Sequence, residues 1–169
     1  MEKHLDNNCC TSTNETSSDS RMSVVCSDCG SNGKKVSTQT IKACLSISLE
    51  AVDDEETYFF CRSKDCLVVY FGDKGSVFKE DDLREPVHQK HPNEDSVFVC
   101  YCYQHTPASI RTELLEHGKT DVVERVTSGT KAGSCACEIR NPQGSCCLGN
   151  VRALVKRIEQ ELSSPSSKP

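Results

Sequence analysis

The sequence contains no tryptophan, and aromatic residues make up only 5% of its 169 residues. Hydrophobic residues reach 36%. Split between two small units, this leaves each short of core and dependent on staples. No stretch approaches the ~20 apolar residues of a membrane helix, so no membrane partner is expected. The opening MEKHLDNNCCTSTNETSSDS has no apolar run of the kind a secretory signal needs, so a cytoplasmic location is expected. No basic stripe stands out: 20 Lys and Arg are mixed among 25 Asp and Glu, for a net charge of −5. That argues against a nucleic-acid partner. A catalytic constellation is missing too. His88, His91, His105 and His117 lie in polar stretches, read as solvated, and accompany no nucleophilic cysteine, so no enzyme is expected.

Cysteine is what the chain has in excess, with 13. In a reducing compartment paired cysteines are more often metal ligands than disulfides. The odd count also argues against complete intramolecular pairing.

An α+β organisation is expected. Residues 1–22 and 163–169 are polar and aperiodic and read as disordered tails, the first carrying Cys9-Cys10 as incidental thiols. Residues 23–85 read as a small β unit. Tyr58-Phe59-Phe60, Leu67 to Phe71 and Ser76-Val77-Phe78 are short aromatic or β-branched runs parted by turn residues. Val36 to Ile41 is expected to be extended, and Ile41 to Leu49 to form a short helix or turn carrying Cys44 on an apolar face. Residues 86–95, with Pro86 and Pro92, read as a linker. Residues 96–162 read as a helical unit. Its first helix starts at Thr106-Pro107, presents Ile110, Leu114 and Leu115, and stops at Gly118. A second runs from Thr120 or Asp121 to about Gly129. A loop from Gly133 to Gly149 follows, and a third helix spans about Asn150 to Leu162, with Val151, Leu154, Val155 and Ile158 on one face.

The first cysteine set is Cys26-Ser-Asp-Cys29 and Cys61-Arg-Ser-Lys-Asp-Cys66. Two turns supplying two thiolates each make a closed tetrahedral Zn2+ site, structural because no position stays open. Gly30, Asn32 and Gly33 suit the tight turn of the first knuckle. The second knuckle is wider than the usual C-x2-C. A rubredoxin-like iron site, a redox dithiol and plain buried cysteines remain alternatives.

The second set is Cys100-Tyr-Cys102, Cys135-Ala-Cys137 and Cys146-Cys147. If the first two helices form a hairpin, both cysteine groups return to one end, where four thiolates can hold a [2Fe–2S] cluster near helix N-termini. A second zinc site would use the same thiolates.

Val99-Cys100-Tyr101-Cys102, followed by a helix and a cysteine group before another helix, resembles bacterioferritin-associated ferredoxin. The loop CACEIRNPQGSCCLGNV is longer than the compact C-x2-C of that family. Taken whole, residues 24–155 resemble the N-terminal domain of the copper chaperone CopZ family. Cys26 to Cys29, Tyr58 to Cys61, Cys66 to Phe71, Val99 to Cys102 and Asn141 to Cys147 carry the resemblance. It implies a zinc-bound β unit on Cys26, Cys29, Cys61 and Cys66, followed by a helical [2Fe–2S] unit. The cluster falls on Cys100, Cys102, one of Cys135 and Cys137, and one of Cys146 and Cys147. Cys137 is preferred because it keeps the spacing to the Asn-Pro turn, and Cys147 because it lies nearer the third helix. In that family a domain with an M-x-C-x-x-C copper loop follows. No such motif occurs here, so only the metal-cofactor module is expected.

The function this implies is electron transfer linked to copper handling, with a copper-handling protein or an electron donor as partner. Two other readings stand beside it. The cluster can be structural, in a scaffold or sensor, or the spare thiols Cys9, Cys10, Cys44, Cys135 and Cys146 can bind soft metals directly.

Overall fold

A computed structural model describes residues 24–164. The expected disordered tail 1–22, with Cys9 and Cys10, lies outside them, as do residues 165–169.

The aromatic runs build an antiparallel meander of β1 (Gly33–Val36), β2 (Tyr58–Cys61), β3 (Val68–Gly72) and β4 (Val77–Lys79), in that spatial order. Gly33 pairs with Cys61, Phe59 with Phe71, and Tyr70 with Phe78. Strand alternation then sorts the side chains. Tyr58, Phe60, Tyr70 and Phe78 enter one core with Val36, Ile41 and Leu45. Phe59 and Phe71 stack at 5.6 Å on the opposite face, which also holds Cys26, Cys61, Cys66 and Val68. Gly33 sits beneath that stack, where a Cβ would meet the Phe59 Cβ and the Phe71 ring at 2.5 Å.

Between β1 and β2 runs α1 (Thr38–Cys44). The extended stretch expected up to Ile41 stops at Val36, because the Ser37 side chain accepts from the Thr40 N–H and caps a helix there.

The second half is helical: α2 (Pro107–His117), α3 (Val122–Lys131), α4 (Cys137–Arg140) and α5 (Leu148–Ser163). Thr106 and Ser109 form the capping box that starts α2, and Gly118 ends it in the left-handed region at φ 68°. Ile110 and Leu114 are buried with Val122, Val126, Val151, Leu154, Val155 and Ile158. Leu115 is 65% exposed, contrary to expectation, because one further residue turns it about 100° off the core-facing stripe. The loop expected from Gly133 to Gly149 contains the short α4, and α3 runs through Gly129 to Lys131.

The halves touch along α1 and α4. The Thr40 hydroxyl donates to the Glu138 carbonyl at 2.6 Å, and the Tyr70 hydroxyl to the Pro142 carbonyl at 2.6 Å. Val87 is fully buried in the sheet-side core. The Tyr101 hydroxyl donates to the Pro86 carbonyl and accepts from the His88 N–H. Among the described residues, no helix is long and apolar enough to cross a membrane.

Tyr70→Phe keeps the ring and removes the donor, leaving the Pro142 carbonyl without its buried partner. A loss of about 1–3 kcal/mol is expected in urea unfolding. A change within the error of the wild-type midpoint would show that this contact does not tie the loop after α4 to the sheet.

Candidate metal centres

The upstream site grows out of two turns. In the first, the Gly30 N–H donates to the Cys26 carbonyl at 2.8 Å, and Gly30 lies in the left-handed region at φ 69°. Its second member, Cys29, is thereby folded back toward Cys26. The second turn joins β2 to β3, with Cys61 as the last residue of one strand and Cys66 two residues before the other. The hairpin closes this five-residue step, so the wider spacing still delivers both sulfurs to one point.

All four Sγ atoms, of Cys26, Cys29, Cys61 and Cys66, lie within 4.8 Å of one another. Cys26 and Cys66 are 3.9 Å apart, and Cys29 and Cys61 3.6 Å. A tetrahedron with Zn–S bonds of about 2.3 Å has edges of about 3.8 Å, so the gap matches that ion. Cys29 is exposed and the other three are buried. Hydrogen bonds from the Ser31 side chain and backbone hold the Cys29 thiol down to about 6. Burial pushes Cys61 up to about 12 and raises Cys66. A cation here replaces those protons and neutralises the thiolates that burial otherwise disfavours.

The downstream site is assembled differently. Cys100 and Cys102 lie on no strand. They sit on a tight turn closed by the His105 N–H donating to the Cys100 carbonyl at 3.2 Å, with Gln104 left-handed at φ 55°. The turn points the two thiols at different partners. Cys102 Sγ lies 3.7 Å from Cys137 Sγ, at the first residue of α4, and accepts from the Ala136 N–H at 3.3 Å. Cys100 has Cys147, at the N-cap position of α5, as its neighbour, and their interaction lowers Cys100 to about 6 and raises Cys147. Burial pushes Cys137 up to about 12. Cys100, Cys137 and Cys147 are themselves part of the helical core. One close sulfur pair, Cys102 with Cys137, results rather than a quartet. Among the described residues, only the upstream cysteines bring three or more ligand atoms within 4.8 Å of one another.

Cys135 and Cys146 face elsewhere, toward Thr130 of α3. Cys44 is buried in the sheet-side core with its thiol toward the Ile139 carbonyl, at 4.0 Å. His117 is exposed as expected, but the other three histidines are less solvated. His91 pairs with Glu80 at 2.7 Å and Glu94 at 3.3 Å, while His88 and His105 are half-buried and lowered by that burial. Sequence reading missed Tyr103, which packs against α3 at Gly129, where a Cβ would overlap its hydroxyl. A glycine inside a helical pattern is the signal that marks such a close approach.

A four-stranded sheet carrying a four-thiol cluster, joined to a helical half with further paired thiols, defines a small α+β metal-binding protein. Residues 23–84 match the CopZ family model described as a zinc binding domain. The X-ray structure of the Archaeoglobus fulgidus CopZ N-terminal domain is similar, with 28% sequence identity and a TM-score of 0.64. The match covers 78% of this chain and 97% of that one. No curated protein matches the sequence.

Proposed function

We propose that this chain is a CopZ-like accessory protein. It holds one structural Zn2+ on Cys26, Cys29, Cys61 and Cys66 and one [2Fe–2S] cluster on Cys100, Cys102, Cys137 and Cys147. It serves one-electron transfer in copper handling, in the cytoplasm, with a copper-handling protein or an electron donor as partner. It is not an enzyme in itself. Residues 23–85 form the zinc unit and residues 96–162 the cluster unit, resembling bacterioferritin-associated ferredoxin, with 86–95 between them.

The observation that carries the cluster is the pairing of its thiols. In a [2Fe–2S] centre with four cysteine ligands each iron takes two thiolates, so the ligands come as two close pairs set apart by the bridged irons. Cys102 with Cys137 forms one such pair at 3.7 Å and Cys100 has Cys147 as its neighbour, whereas one zinc ion needs a quartet such as the upstream one. When bound, such a cluster supplies transfer of single electrons, and reduction of cupric to cuprous ion is a reaction of that kind. The protein's own part is to present the sulfurs. The Ala136 N–H donates to Cys102 Sγ, as it can to a metal-bound sulfur.

A second reading has its own observation. Cys100, Cys137 and Cys147 lie among the apolar side chains that join α2, α3 and α5, so a cluster there also staples the core. In that reading the cluster is structural, in a scaffold or a sensor.

Anaerobic reconstitution separates these. The protein is expected to turn red-brown with about two irons and two sulfides per chain. Reduction with dithionite should give an electron-paramagnetic signal of one unpaired spin and reverse on reoxidation. Colourless protein holding only zinc would overturn the cluster. A cluster that is lost on reduction together with helical circular dichroism would favour the structural reading.

A further inference from the structure

Cys135 and Cys146 are two thiols that the proposed ligand set does not use. Each lies within two residues of a proposed ligand in the chain, yet the fold turns both away from the cluster pairs. Cys135 Sγ is 3.6 Å and Cys146 Sγ 3.8 Å from the same atom, Thr130 Oγ1. That hydroxyl donates its proton to the Val126 carbonyl at 2.9 Å, so it offers the sulfurs only lone pairs. Two neighbouring groups complete the surroundings. The Leu148 N–H, in the first turn of the sixteen-residue α5, points at Cys146 Sγ at 3.5 Å. The Tyr103 hydroxyl lies 3.8 Å from Cys135 Sγ, held there by the bare backbone of Gly129. Cys146 is exposed and Cys135 partly so, which leaves the sulfurs reachable from solvent.

We propose that Cys135 and Cys146, gathered on Thr130 at the end of α3, form a separate, exchangeable site for a soft monovalent cation, with Cu(I) as its representative. The inference rests on the reading above, in that Cys137 and Cys147 rather than these two serve the cluster. The donor set selects the ion. Two thiolates backed by neutral hydroxyl oxygens satisfy a soft ion that accepts low coordination. Zn2+ in a protein site takes four ligands in a tetrahedron, and the upstream quartet already offers that. The Leu148 N–H points at Cys146 Sγ and can donate to a metal-bound sulfur there. Exposure makes the ion exchangeable, in contrast to the three buried sulfurs of the upstream site.

The test uses the full chain, loaded with zinc and reconstituted with iron and sulfide. Cys9 and Cys10 are replaced by serine so that this vicinal pair contributes nothing. Cu(I) is titrated anaerobically against a chromophoric Cu(I) chelator, while zinc, iron, sulfide and the visible spectrum are followed. The parent protein is expected to retain one Cu(I) per chain. Adding Cys135→Ser and Cys146→Ser should weaken retention about tenfold or more without changing zinc, iron or the spectrum. Equal retention in that variant, or none in the parent with its thiols reduced, overturns the proposal. Loss of iron on replacing Cys135 or Cys146 also overturns it, because these would then be cluster ligands. If the parent takes up no iron at all, the cluster reading fails by itself, and the difference in Cu(I) retention between parent and variant still decides this one.

Discussion

Serine at Cys61 or at Cys66 is expected to release zinc and unfold the sheet half. The two residues bracket the β2–β3 turn, and Cys61 pairs with Gly33 across β1 and β2. Three of the four sulfurs are buried, and among the described residues they share their side of the sheet with only Val68, Phe71 and the partly buried Val24 and Phe59. That cluster is too small to hold by itself. Structural zinc contributes on the order of 10 kcal/mol in small domains, which is comparable to the entire stability of many proteins. Metal analysis should fall from one zinc per chain to none in either variant, with loss of strand signal in circular dichroism. Full zinc retention in both would remove the assignment. A site that instead comes out coloured and iron-loaded would restore the rubredoxin-like alternative.

Cys137→Ser and Cys147→Ser are expected to abolish the visible spectrum of the reconstituted protein, and Cys135→Ser and Cys146→Ser to leave it nearly intact. The distinction is one of direction. Cys137 faces Cys102 at 3.7 Å and Cys147 neighbours Cys100, whereas Cys135 and Cys146 both face Thr130. Because the alternatives lie one or two residues away, a neighbouring thiol can substitute in a variant. Iron and sulfide content are therefore read beside the spectrum, and a shifted spectrum with full iron marks such substitution. The opposite pattern, loss with Cys135 or Cys146 and retention with Cys137 and Cys147, would reverse the ligand choice.

Much of the helical half was legible. Thr106-Pro107 and Gly118 bound α2 because capping and termination are local chemistry. The apolar stripe of α5 was equally plain, although the helix begins at Leu148 rather than near Asn150. The aromatic runs marked β2, β3 and β4 for the same local reason. What was not legible depends on partners far along the chain. The short α4 meets α1 through a bond between Thr40 and Glu138, 98 residues apart. The turn at Cys100 to His105 has no apolar rhythm to announce it. Val87, read as part of a polar linker, fills the sheet-side core.

The spacing of cysteines by itself determined that four upstream thiols belong to two tight turns and that the downstream ones fall into three short groups. Turn geometry is set by a handful of adjacent residues, so pattern suffices for that. Only the tertiary structure decided which thiol of each close pair faces which partner. Cys135 and Cys137, like Cys146 and Cys147, are nearly equivalent as sequence. They part company because α3 sets Thr130 on one side of the loop, while the turn at Cys100 and Cys102 stands on the other.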